Sequence, residues 1–152
     1  MFLDSTCLKA NIHFPVDWVL LRDAARTLMK ATVLIRREGL KRRLPQEPLG
    51  FLSAMNKLAM AMSANGRRPD AKKQRKRTLR QMKTLEKKIA GHAQAHRDLL
   101  ARHWAETALS EKQAQAILRR IDQVLRPLPA AVRQAHERII GGRRVPHAEK
   151  IL

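Results

Sequence analysis

The chain has 152 residues and a formal net charge of +19, from 32 Lys and Arg against 13 Asp and Glu. Its length suits one domain able to bury a core, and 44% hydrophobic with 30% charged residues is neither collagenous nor the mark of a wholly disordered chain. A single cysteine, Cys7, excludes an internal disulfide, no apolar run is long enough to span a bilayer, and Met1-Phe2-Leu3-Asp4-Ser5 lacks signal-peptide features, so the expectation is a soluble, cytoplasmic protein.

The first predicted element is a short strand from about Phe2 to Ala10. Leu3, Ser5 and Cys7 alternate with Asp4, Thr6 and Leu8, and His13-Phe14-Pro15 ends the run. From Val16 the period changes: Val16, Leu20, Ala24, Leu28, Ala31 and Ile35 recur at three- and four-residue spacing, which predicts an amphipathic helix ended by Gly39. Pro45 and Pro48 punctuate a basic loop. A second helix follows with Phe51, Leu52, Met55, Leu58, Ala59 and Met62 on one face, closed by Asn65-Gly66.

Pro69 suits the first position of a third helix, and Asp70 suits its positive end. Leu79, Met82, Leu85, Ile89, Ala93, His96 and Leu100 approach a heptad seam, so one long helix is predicted to about Glu106, with Gly91 as a point of interruption. Its length, about 50 Å, points to a helical arm or an antiparallel hairpin, with the seam available for self-association. Ser110-Glu111-Lys112-Gln113 matches a capping box and opens a helix with Ile117, Leu118, Ile121, Val124 and Leu125 inward, stopped by Pro127. A last short helix is predicted from Pro129 to Ile140, ending at Gly141-Gly142. The fold class is mainly α: one N-terminal β-strand, then about five helices including a long basic helical arm. The strand (residues 1–14) and the helical basic segment (residues 15–152) form two parts.

The charge is concentrated. Residues 1–66 carry 10 basic and 5 acidic side chains, residues 67–152 carry 22 and 8, and 11 of the 22 residues from Arg67 to Lys88 are Lys or Arg. Such a block suits phosphate contacts, with Arg67, Arg68, Lys72, Lys73, Arg75, Lys76, Arg77 and Arg80 as the candidates. A merely solvated helix face is an equally open reading. No aromatic side chain interleaves with the block, which argues against a platform for stacked bases.

Other chemistry is thinly marked. His92 and His96 stand one helical turn apart with His103 further on, yet no Glu or Cys completes a zinc set nearby, and seam histidines account for the spacing better. There is no phosphate-binding glycine loop and no nucleophile elbow. Cys7 reads as a small buried hydrophobe. Asp4, mid-strand, reads either as a solvated carboxylate or as a ligand for Mg²⁺, which takes one or two carboxylates and phosphate oxygens.

The segment Asp4-Ser5-Thr6-Cys7-Leu8-Lys9-Ala10-Asn11-Ile12-His13-Phe14-Pro15-Val16-Asp17-Trp18 resembles the surroundings of the first catalytic aspartate in bacterial insertion-sequence transposases of the DDE type. The continuation Leu20-Leu21-Arg22-Asp23 resembles the helix that follows there. The stretch from Ala135-His136-Glu137-Arg138 through Gly141-Gly142-Arg143-Arg144-Val145-Pro146 to Leu152 resembles the family's approach to its next catalytic strand. The resemblance implies an RNase H-like core in which two aspartates and a glutamate hold two Mg²⁺ ions for phosphodiester strand transfer. Asp4 would be the catalytic, metal-binding first aspartate, and its two partners would lie in segments after Leu152. The implied protein is a transposase fragment acting at the bacterial nucleoid. It would bind DNA, pair with itself or full-length transposase through the long helix, and lack independent catalysis. The competing expectations are a non-enzymatic basic helical nucleic-acid-binding or regulatory protein, and the poorly folded product of a decayed reading frame.

Overall fold

A computed structural model describes residues 17–64 and 69–141. The predicted strand, Asp4, Arg67, Arg68 and the Asn65-Gly66 turn lie outside the described residues. Among those described, the regular elements are all helical: α1 (Asp17–Arg37), α2 (Pro48–Ala64), α3 (Ala71–His103), α4 (Glu111–Leu125) and α5 (Leu128–Ala135). A 3₁₀ turn (Trp104–Glu106) follows α3, and a single π turn (His136–Ile140) follows α5. None of these helices is long and apolar enough to cross a membrane.

Helix α1 is the hub, packed against α2, α3, α4 and α5. Four neighbours explain why its buried arc is broader than one amphipathic stripe. Leu21, Ala25, Leu28, Met29, Ala31, Thr32 and Ile35 are fully buried, while Leu20 and Ala24, expected at the core, are half-buried at its margin. Thr32 satisfies its hydroxyl within this apolar setting by donating to the Leu28 carbonyl at 2.8 Å. The chain leaves α1 through Gly39, whose φ of +86° lies in the left-handed region that costs a side chain about 1–2 kcal/mol.

Helix α3 departs from the expected arm. It runs unbroken through Gly91 for 33 residues, about 50 Å, and buries side chains from Ala71 to Leu100 against α1, α2, α4 and the π turn. The heptad-like seam is therefore consumed inside the molecule. Leu79, Met82, Ile89, Ala93 and Leu100 are all completely covered, with only Leu85 of the predicted set left half-buried. Asp70 precedes the helix as its N-cap residue, so Pro69 lies one position outside it and not at its first turn. The Asp70 side chain accepts from Gln74 Nε2 at 3.4 Å and caps no backbone N–H.

Two connections are fastened tightly. Ser110 forms the predicted capping box: Gln113 N–H donates to its Oγ at 3.1 Å and its own N–H donates to Gln113 Oε1 at 2.9 Å. Arg97 clamps α3 to α4 through a two-pronged bond to Asp122 at 2.9 and 3.0 Å, which holds the Asp122 carboxyl below its usual range. Helix α5 begins at Leu128 and ends at Ala135. The predicted final turns instead widen into the π turn, closed by Gly141 N–H donating to the His136 carbonyl at 2.9 Å.

Candidate nucleic-acid interface

The first half of α3 gathers the cations that the sequence singled out. Lys72, Lys73, Arg75, Arg77 and Arg80 are exposed and Lys76 is half-buried. The spacing adds two more. Lys72, Lys76, Arg80, Lys83 and Lys87 recur at steps of four, four, three and four residues, which sets them in one row along the helix. Lys83 and Lys87 belong to the basic block but were not among the candidate contacts, and their i+3 and i+4 spacing from Arg80 and Lys83 was the signal for them.

This charge does not serve helix stability. The first turn of α3 contains no acid and carries Lys72 and Lys73, the wrong sign for the positive end of a helix. Like charges four residues apart cost roughly 0.2–0.5 kcal/mol per pair. Among the described residues, none of the row's five members forms an ion pair; the ion pairs present are Arg22–Asp23, Arg97 with Asp98 and Asp122, and His103–Glu106. Lys83 is instead hydrogen-bonded from Nζ to His136 Nδ1 at 2.8 Å.

The two acids of the block do not offset the row. Asp70 stands at its start, and Glu86 turns inward, 1% exposed, with neither carboxylate oxygen hydrogen-bonded. Burial without a partner raises its carboxyl from 4.5 to about 8, so at neutral pH Glu86 is uncharged. The outer face of α3 thus keeps its full positive charge.

The histidine series divides in three. His92 lies against the Phe51 ring with centroids 5.4 Å apart, His96 is completely buried, and His103 pairs with Glu106 at 2.6 Å. Among the described residues no group of three or more His, Cys, Asp or Glu is placed to hold a metal ion. The described aromatic side chains are equally committed. Phe51 is in the core, and Trp18 and Trp104 are half-buried against it.

Comparison with known proteins yields no match to a family model, to a curated protein or to a solved structure.

Proposed function

We propose that this chain is a DNA-binding segment of a DDE-type transposase, and that α3 carries it by laying its row of cations along duplex phosphates. The observation that supports this most is the row from Lys72 to Lys87: five cations on one helix face, with Glu86 folded inward among them. Phosphates are the anions such a row suits, because the contacts need no base reading and no stacking surface. The transposase assignment itself rests on the resemblance around Asp4 and towards Leu152. In that reading Asp4 would be a ligand of catalytic Mg²⁺, and since it lies outside the described residues, DNA binding is the part supported by described side chains.

Fluorescence anisotropy with a 20-bp duplex tests this. Neutralising five phosphates gives a slope of log K on log salt of about −4.5, and a K76Q/R80Q/K83Q variant reduces it by about 3. A wild-type affinity that barely moves between 50 and 200 mM salt would remove α3 as a phosphate-binding surface.

A second reading, a non-enzymatic basic helical regulatory or nucleic-acid-binding protein, is favoured by the way α1 to α5 close a core of their own. Neither reading expects nicking or strand transfer from this chain alone, so the Mg²⁺ dependence of DNA binding distinguishes the two. Binding that Mg²⁺ strengthens and Asp4→Asn weakens belongs to the transposase reading, whereas salt-sensitive binding untouched by Mg²⁺ and by that substitution fits the regulatory one.

A further inference from the structure

Glu86 does not merely leave the basic row uncompensated; it lies in the lining of a groove. The groove, of about 720 Å³, runs between the middle of α3, the end of α4 and the start of α5. Leu125, Leu128, Pro129 and Val132 form its wall opposite α3, while Lys83, Lys87, Ala90 and Gly91 line the α3 side with Glu86. Its volume is in the range of small-molecule sites, which pair apolar walls with a few polar groups. Beneath this lining the Glu86 carboxyl is covered, and neither of its oxygens has a hydrogen-bond partner.

We propose that this groove binds a small amphipathic carboxylate, an alkyl or aryl acid whose apolar body lies against Leu128 and Val132 and whose anionic head meets Lys87 above the covered Glu86 carboxyl. The inference does not rest on the DNA-binding reading, although Lys83 and Lys87 belong to both surfaces. An anion suits the site better than a cation for three reasons. The protein carries +19, and two lysines line the groove. Glu86 holds its proton at neutral pH, so it places no negative charge under the groove. Lys83 also bonds His136, which makes the exposed Lys87 the freer ammonium for the head group.

The ionisable groups around the Glu86 carboxyl are Lys83 and Lys87 on its own helix and His136 in the π turn, which holds Lys83. The α4 and α5 wall contributes no titratable side chain. Ionising Glu86 places negative charge beside the ligand head, so affinity falls as pH rises through about 8.

Calorimetric titration with decanoate, in 0.15 M salt, reads this directly. Binding to the wild type weakens about tenfold between pH 7 and pH 9, following the protonated fraction of Glu86. Glu86→Gln, a neutral side chain of nearly the same shape that cannot ionise, binds within about threefold of the wild type at pH 7 and shows no such fall. Gly91→Leu fills the groove, since a Cβ at that position meets no atom within 4 Å, and removes binding while the helical circular dichroism is kept. Three results would each overturn the site: decanoate affinity unchanged by Gly91→Leu, affinity equal at pH 7 and pH 9, or decylammonium binding more tightly than decanoate.

Discussion

The Nε2 atom of His96, at the far end of α3, accepts the backbone N–H of Arg42 at 3.2 Å across 54 residues of chain. The other ring nitrogen, Nδ1, lies 2.7 Å from the His92 carbonyl oxygen, which only accepts, so Nδ1 carries the proton. Arg36 completes the arrangement. It donates to the Arg42 carbonyl at 2.7 Å, and its guanidinium also approaches Nε2 at 3.3 Å. The loop between α1 and α2 is thereby held by a neutral imidazole whose acceptor faces two donors.

Acid weakens this hold. Burial pushes the His96 imidazole below its ordinary 6.5, and the charges of Arg36, His92 and Arg42 push the same way, against the bond to the His92 carbonyl. The unfolded chain takes up a proton below about 6.5 while the folded one does not, so the contribution of His96 is complete above that pH. It is lost as pH falls through the lower folded value. Urea denaturation should show His96→Gln less stable than wild type by about 1–3 kcal/mol at pH 7.5. The gap should narrow by up to about 1.4 kcal/mol per unit below pH 6.5. A gap that stays constant down to pH 5 would mean the imidazole is not held neutral.

Glu86 acts with the opposite sign. Its folded value near 8 exceeds the unfolded 4.5, so the folded state holds a proton that the unfolded chain has released, and stability declines as pH rises across that interval. Glu86→Gln removes the titration. Its stability relative to wild type is expected to improve by about 1.4 kcal/mol per pH unit between 5 and 8 and to level off above. Denaturation curves for both proteins at four pH values in that range are the measurement, and a flat difference would contradict a buried, unpartnered carboxyl.

Two glycines make a contrasting pair. At Gly91, inside α3, an added Cβ meets nothing within 4 Å, so Gly91→Ala is expected to stabilise by about 1 kcal/mol through helix propensity. At Gly39 the space is equally open, but φ is +86°, so Gly39→Ala is expected to destabilise by about 1 kcal/mol or more. Thermal melts of the two variants should move in opposite directions.

The capping box predicts a cost of about 0.5–2 kcal/mol for Ser110→Ala, because the Gln113 N–H loses its acceptor. Ser110→Asp, which also accepts at this position, is expected to recover most of it. Equal stability of the Ala and Asp variants in urea titration would show that the box contributes nothing.

Local chemistry was the most legible part of the sequence. The Ser110–Gln113 box and the Gly39 exit depend on residues within one or two turns and are found where expected. Of the predicted inward faces of α2 and α4, Phe51, Met55, Ala59, Met62, Leu118 and Ile121 are buried, while Leu52, Leu58, Ile117, Val124 and Leu125 are half-buried at the margin. What the sequence concealed depends on neighbours far along the chain. The α3 seam reads as an arm because nothing local shows that α1 will lie against it. The breadth of the α1 core reflects four packing partners that its own periodicity cannot count. Glu86 illustrates the limit for the candidate interface. Seen in sequence it is one acid opposing eleven bases, yet it is buried and carries no charge at neutral pH. The cations themselves were visible as a block, but the row that includes Lys83 and Lys87 emerges only with the helix they share.

The loop fastened by His96 meets a second tie at the same end of the molecule, where Glu38 Oε1 accepts the Ala108 N–H at 3.0 Å. The α1–α2 loop, the C-terminal turns of α3 and the link to α4 are thus bound together. At the other end of α3 the first two turns bury little besides Ala71 and Thr78, and they carry the densest positive charge. Backbone amides of α3 therefore exchange with solvent along a gradient, fastest near Lys72 and slowest near His96. A phosphate backbone seated on the basic row would draw its stabilisation from the end with most to gain, and protection on binding would spread from there towards an end already locked.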